Sequence, residues 1–203
     1  MKLIGYYDSP YVRRVGITLK IYDMPFDHVP LATVPDRQAI KNYSPMGRIP
    51  ALVLDEGEVL VESSIIIDYL NEIAGPARTL TPTSGAERRR VMAIVGWALG
   101  VTDKYVAAYY EITKRPAGHV WHPWRDHLED QVGSGLAALE GAIEGPRFFG
   151  AAITQTEVTL VAAVESMRLD MQHLAPIGRY PKLDRLIQSV EMLDAFVSTR
   201  PHP

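Results

Sequence analysis

The residues best suited to chemistry stand in the first third of the chain, where Asp8-Ser9-Pro10, Ile49-Pro50 and Glu62-Ser63 follow one another. The second belongs to the stretch Ser44-Pro45-Met46-Gly47-Arg48-Ile49-Pro50-Ala51-Leu52. Pro50 comes just before an apolar strand, a place where a missing N–H is tolerated. A cis Ile49–Pro50 bond is expected, because it turns the chain sharply and lets Ile49 present its backbone N–H and C=O sideways to an extended peptide. Glu62-Ser63 opens an apolar helical stretch, where free N–H groups and the macrodipole favour a bound carboxylate. Ser63 would hold that carboxylate and Glu62 would pair with an ammonium group. The same pair also fits a bare helix start, since Ser is a good N-cap. In the functional reading the sites together suit a short zwitterionic peptide.

Ser9 is the candidate for the reacting centre. The sequence has no cysteine, so any thiol chemistry must use a thiol carried by the substrate. A free thiol has a pKa of about 8.5 and attacks as its thiolate, so a hydroxyl donor at a positive helix end raises the reactive fraction near neutrality. Each tenfold gain needs about 1.4 kcal/mol of preferential thiolate stabilisation, within reach of one charge-assisted hydrogen bond. With Pro10 at the first helical position, Ser9 is also a natural N-cap, and the two roles are compatible. Arg13 and Arg14 would add positive potential, but arginines in an exposed first turn are expected to be solvated. Tyr6 and Tyr7 are rival hydroxyl donors, with core packing as their alternative role.

These groups need a scaffold. Residues 2–7 read as a strand, and Val12, Val15, Ile17, Leu19 and Ile21 as the apolar face of a helix. A short strand follows at 28–31 and a short helix at 36–43, ending before Ser44-Pro45. Residues 51–54 and 59–61 flank Asp55-Glu56-Gly57-Glu58 and pair as a hairpin, after which residues 63–74 form a helix closed by Gly75-Pro76. The order β-α-β-α-β-β-α implies a four-stranded mixed sheet with helices on it, a thioredoxin-like α/β domain over residues 1–75. Residues 76–85 are rich in turn formers and mark a linker. Residues 86–203 carry no strand pattern and are expected to be all-helical. Val91, Ile94, Val95, Leu99 and Val101 suit one helix, and Leu128, Val132, Leu136, Leu139 and Ile143 another. Residues 154–174 form a third, and residues 180–196 hold one or two shorter ones.

Two further patterns stand in the second half of the chain. Thr154 and Glu157 have capping-box spacing and should seed a buried helix over 158–171, with no catalytic role. His119, Trp121, His122, Trp124 and His127 follow residues 116–118 in what reads as an inter-helix connection; aromatic packing between helices accounts for them better than a metal site, so no metal is expected. They, or Tyr105, Tyr109 and Tyr110, would otherwise edge a substrate pocket. The net charge of -3, without long like-charge blocks, gives no reason to expect nucleic acid or an anionic membrane as partner. The opening Met-Lys-Leu-Ile-Gly-Tyr-Tyr-Asp is too soon polar for a signal peptide and no run approaches about eighteen apolar residues, so a cytoplasmic protein is expected.

On these residues the chain resembles the cytosolic glutathione S-transferases of the bacterial, serine-activated kind, over nearly its whole length. Asp8-Ser9-Pro10-Tyr11-Val12-Arg13-Arg14 matches the activating loop, residues 44–52 the cis-proline segment, and Glu62-Ser63 the γ-glutamyl site. The resemblance implies that glutathione is the co-substrate and that Ser9 is the thiol-activating hydroxyl. It further implies that Ile49 is the backbone partner of the cysteinyl moiety, that Arg48 lies near the glycine end, and that the protein is a homodimer attacking a small electrophile. Family members usually carry Asp where Glu157 stands, a departure that a capping box tolerates. Glutathione-dependent reduction of disulfides or peroxides, and glutathione binding without catalysis, are the alternative functions. Dehydroascorbate reductase and glutaredoxin-like chemistries want a cysteine where Ser9 stands, and the Ser-Ser-Cys stretch expected of a maleylacetoacetate isomerase is absent.

Overall fold

Strand β1 (Lys2–Ile4) buries both Leu3 and Ile4, so the sheet is covered on its two faces at its centre. The computed structural model describes residues 1–116 and 118–201; Ala117, in the connection read between two helices, and the last two positions of the helical region read over 86–203 lie outside the described residues. β1 pairs in parallel with β2 (Asp27–Val29) and antiparallel with β3 (Ala51–Val53), which pairs antiparallel with β4 (Val59–Val61). The strand order is β2-β1-β3-β4, with Leu3 opposite His28 on one side and Leu52 on the other. The helices of this unit are α1 (Pro10–Ile21), α2 (Arg37–Ile40) and α3 (Ser63–Ala74). Val12, Val15 and Leu19 on α1 and Ile66 and Leu70 on α3 are fully buried, and the two helices pack together. Each such side chain contributes about 1.5 to 3 kcal/mol by leaving water. The N-terminal unit thus has the thioredoxin-like arrangement of a small mixed sheet carrying helices.

Several boundaries differ from the sequence reading. β1 stops at Ile4 because Gly5 adopts φ +126, ending the alternation that would have run through Tyr7. In consequence Tyr6 is 38% exposed and outside the core, whereas Tyr7 is buried and its ring stacks on His28 at 4.0 Å between centroids. α2 spans one turn only. The expected solvation of Arg13 and Arg14 is overturned: their side chains are 0% and 2% exposed. The causes are neighbours far along the chain, α3 for Arg14 and a C-terminal helix for Arg13. Short helix α8 (Asp194–Val197) packs on α1, buries Phe196 there, and its carbonyl accepts from Arg13 Nη2 at 3.5 Å.

The chain accordingly divides into one unit of residues 1–85 joined by the stretch from Glu191, and a second of residues 86–190. Residues 76–85 are pinned to the first unit through Tyr22, whose hydroxyl accepts from the Leu80 N–H at 2.7 Å and donates to Asn71 at 2.5 Å.

The second unit is helical. It comprises α4 (Gly85–Thr113, whose first residue closes the N-terminal unit), α5 (His122–Ala142), α6 (Gln155–Asp170) and α7 (Pro181–Gln188). α6 is buried almost all round, which makes it the core of this unit. Its N-terminus is a capping box: the Thr154 hydroxyl accepts from the Thr156 N–H, and Glu157 accepts from the Thr154 N–H at 2.7 Å. The expected 154–174 helix breaks at Met171, and residues 172–174 form a separate 3-10 turn. α4 has the length and mean hydropathy of a bilayer span, although an unbroken apolar run was not expected; its buried stripe of Val91, Val95, Ala98, Thr102 and Tyr105 belongs to the core of this unit. Trp121 and Trp124 are 63% and 41% exposed, so the expected inter-helix aromatic packing is replaced by a surface pair of Trp124 and His127 rings at 5.5 Å.

Candidate functional site

The loop before β3 is shaped by its own backbone. Ser44 is buried, its carbonyl accepts from the Gly47 N–H at 2.8 Å and its hydroxyl from the Arg48 N–H at 3.3 Å, while Gly47 takes φ +65. This tight turn exposes Met46 and Arg48 and delivers the chain to a cis Ile49–Pro50 bond, as the sequence predicted. Gly5 makes the next contact possible. A Cβ there would stand 2.6 Å from Val12 Cγ2 and 2.8 Å from Ile49 Cβ, so only a glycine lets Ile49 close down on the end of β1 and the start of α1.

A cleft opens on this loop, lined among others by Tyr11, Met46, Arg48, Ile49, Pro50 and Glu62. Three sequence-predicted binding residues, Arg48, Ile49 and Glu62, therefore meet at one place. Ser9 and Ser63 stand outside the lining. Tyr11 and Met46 were not singled out from the sequence as site residues; the signal for Tyr11 was its position directly after Pro10, two residues from the N-cap.

Glu62 precedes α3 with φ +74, a left-handed conformation rare for a residue with a side chain, and its carboxylate is exposed at the cleft. Ser63 is the first residue of α3 and is buried; its hydroxyl donates to Glu62 Oε1 at 3.3 Å and accepts from Arg14 Nη1 at 3.1 Å. Arg14 Nη1 also donates to the Ser64 hydroxyl at 3.2 Å. Burial pulls the Arg14 guanidinium down to about 10, against the opposing pull of Glu62 and Tyr11, so it stays charged at neutral pH. The start of α3 thus combines free helix N–H groups, two hydroxyls held by a buried cation, and one exposed carboxylate. That array suits a ligand carrying a carboxylate and an ammonium group side by side.

Ser9 is half-buried at the N-cap of α1, with Pro10 following, and its Oγ accepts from the Val12 N–H at 3.5 Å. That is the outer limit of a hydrogen bond, and the hydroxyl proton remains available to donate. Tyr7 offers no comparable group. Its ring lies against Gly16 of α1, where a Cβ would come within 2.5 Å of Cε1, and burial pushes its hydroxyl up to about 12. His28 Nε2 donates to the Gly5 carbonyl at 2.7 Å, and its ring stacks on that of Tyr7. Among the described residues no three His, Asp or Glu side chains converge as metal ligands.

Comparison with known proteins bears on the whole chain. The family profile described as glutathione S-transferase, N-terminal domain, matches residues 3–78, and the one described as glutathione S-transferase, C-terminal domain, matches residues 123–189. The uncharacterized GST-like protein YibF of Escherichia coli K12 is 26% identical over 99% of this chain and 98% of its own. A maleylacetoacetate isomerase of Pseudomonas aeruginosa is 34% identical over 70% of this chain and 69% of its own. Among solved structures, a glutathione transferase family member from Pseudomonas fluorescens Pf-5 with bound glutathione superposes with a TM-score of 0.89 at 27% identity, over 100% of this chain and 99% of that one. A glutathione S-transferase from Methylobacillus flagellatus KT with glutathione bound gives 0.91 at 27% identity, over 99% of both chains.

Proposed function

The chain belongs to the glutathione S-transferase family, a family of enzymes, and on that premise we propose that it holds glutathione in the cleft beside Pro50 while Ser9 stabilises the thiolate for attack on a small electrophile. The observation that carries this reading is the meeting of Arg48, Ile49 and Glu62 around one cleft at a cis Ile49–Pro50 bond. Ile49 supplies the backbone pair for the cysteinyl residue and Arg48 faces the glycine carboxylate. Glu62 and Ser63 take the ammonium and carboxylate of the γ-glutamyl end.

The thiol loses its proton to solvent, and Ser9, donating from the N-terminus of α1, stabilises the thiolate that remains. The sulfur lone pair then forms the S–C bond. A leaving group departs with its electron pair, or an activated alkene takes a proton at the adjacent carbon. The protein contributes orientation and thiolate stabilisation. We also place the enzyme in the cytoplasm and read it as a homodimer, with Ile65 and Ile73, exposed on α3, as apolar surface for a second copy to cover.

A second reading has support of its own, the 34% identity to a protein named maleylacetoacetate isomerase. The same thiolate would add to a conjugated cis alkene, the new single bond would rotate, and elimination would return glutathione unchanged. One experiment separates the two. With a panel of halogenated aromatics, activated alkenes and a small mixed disulfide, a transferase consumes thiol in proportion to product, whereas an isomerase turns over its alkene at constant thiol. Absence of glutathione binding by calorimetry would refute both.

A further inference from the structure

When a thiolate adds to an α,β-unsaturated carbonyl, the S–C bond forms at the β-carbon and the alkene electron pair moves toward the carbonyl as an enolate. A proton must reach that enolate before the adduct is complete. Displacement of a halide makes no such demand, because the leaving group carries its electron pair away. Ser9 is assigned to the sulfur, so addition needs a second acid beside the cleft.

The side chains lining the cleft narrow the choice to one. Its apolar residues have no proton to give. Glu62 is an exposed carboxylate that carries none near neutrality, and Arg48 keeps its proton at any ordinary pH. Ser44 is buried, and its hydroxyl accepts from the Arg48 N–H at 3.3 Å behind the turn. Tyr11 remains. It is half-buried on the first turn of α1, two residues beyond Ser9, and Gly5 lets Ile49 close down on this end of the helix. Its ring therefore borders the same cleft as Ile49, whose backbone is assigned to the cysteinyl residue. A phenol has an ordinary pKa of about 10 and water one of about 15.7, so a phenol is the better acid by several powers of ten. Arg14, one turn further along α1, stays charged at neutral pH and interacts with Tyr11, so a phenolate left there is met by a cation.

We propose that Tyr11 is the general acid of the addition reaction. Its hydroxyl gives a proton to the enolate formed when the sulfur of glutathione attacks an α,β-unsaturated carbonyl compound. The phenolate then recovers a proton from solvent, replacing the one that the thiol released there. The electrophiles that this donor fits are the conjugated carbonyl compounds. The inference rests on the glutathione reading of the cleft and names the acid and the substrate class within it.

The test measures kcat/KM of the full chain for two electrophiles at saturating glutathione, an α,β-unsaturated ketone and an activated aryl halide. Tyr11→Phe removes one oxygen and keeps the ring. In that variant the ratio of ketone to aryl halide kcat/KM should fall about 100-fold, the low end for loss of a general acid. A second measurement needs no variant. Exchange of H2O for D2O should slow the wild-type ketone reaction more than the aryl halide reaction, since only addition takes up a proton. An unchanged ratio in Tyr11→Phe would overturn the proposal and leave Tyr11 as a wall of the cleft. Equal isotope effects on the two wild-type reactions would overturn it as well, whether or not the variant folds. A wild type that binds no glutathione by calorimetry would overturn the underlying reading instead, an outcome seen before any electrophile is added.

Discussion

Replacing Ser9 by Ala separates the two jobs assigned to its hydroxyl. As an N-cap, Ser9 Oγ stands 3.5 Å from the Val12 N–H, so its loss should cost only about 0.5 kcal/mol, the low end for such caps. As a thiolate donor it should be worth far more. Loss of one preorganised oxyanion-type donor lowers turnover about 100-fold, equivalent to about 2.7 kcal/mol. If all of that acts through ionisation, glutathione bound to wild type titrates near about 6.5 and that bound to Ser9→Ala near about 8.5. The deficit must then depend on pH. At about pH 6.5 half of the wild-type thiol is ionised against about one part in a hundred for the variant, whereas by about pH 9.5 both are almost fully ionised. The less stabilised thiolate is intrinsically the better nucleophile, which narrows the gap further at high pH.

The assay is a pH series of kcat/KM with an activated aryl halide, beside ultraviolet titration of the bound thiolate. Glutathione affinity should be almost unchanged, because the cleft is lined by other side chains. A loss of equal size at every pH would refute thiolate stabilisation and leave the N-cap as the only role of Ser9. Unchanged turnover would exclude Ser9, and Tyr11, which lines the cleft, would become the next donor to remove. Tyr7 would not, since its ring is buried against Gly16.

Glu62→Gln should raise the glutathione Kd about tenfold by calorimetry, through loss of the charge-assisted bond to the ammonium, with little change for N-acetylated glutathione. Tyr7 predicts an alkaline weakness: its folded-state pKa of about 12 exceeds the ordinary 10, so the folded chain keeps a proton that the unfolded chain has released. Stability is therefore fully present below pH 10 and falls as pH rises toward 12, by about 3 kcal/mol from this group, and urea midpoints for Tyr7→Phe should decline less steeply over that window. Gly16→Ala places a Cβ 2.5 Å from Tyr7 Cε1 and should cost about 1 to 3 kcal/mol, seen as a lower Tm; a rise in Tm would mean that the ring has room to move. Thr154→Ala should cost about 1 to 2 kcal/mol in urea unfolding by opening the capping box of α6.

The legible parts of this fold are those whose signals are local. Gly57 at φ +90 and the Leu54–Glu58 backbone bond close the hairpin where the turn residues said they would, and Gly75 ends α3 at the expected position. The cis-proline loop was legible for the same reason, since Ser44, Gly47 and Arg48 build its turn among themselves. Strand length was not. Whether β1 runs to Ile4 or to Tyr7 depends on Gly5 yielding to Ile49, a contact between residues brought together only by the sheet.

The same distinction decides how the α3 corner was read. Apolar spacing on α1 marks Val12, Val15, Ile17 and Leu19, and by itself assigns the polar positions between them to water. α1, however, packs against α3 and also against a helix contributed from the far end of the chain, so Arg13, Arg14 and Thr18 are enclosed as well. A polar residue enclosed in this way must find partners. Arg13 reaches the Phe196 carbonyl and Thr18 donates to the Arg14 carbonyl at 2.8 Å. Arg14 donates to the Ser63 and Ser64 hydroxyls, and so its burial brings a positive charge to the place where the sequence had already put Glu62 and Ser63. Helix periodicity cannot announce such a residue, because its surroundings come from the pairing of α1 with α3 and from neither helix alone.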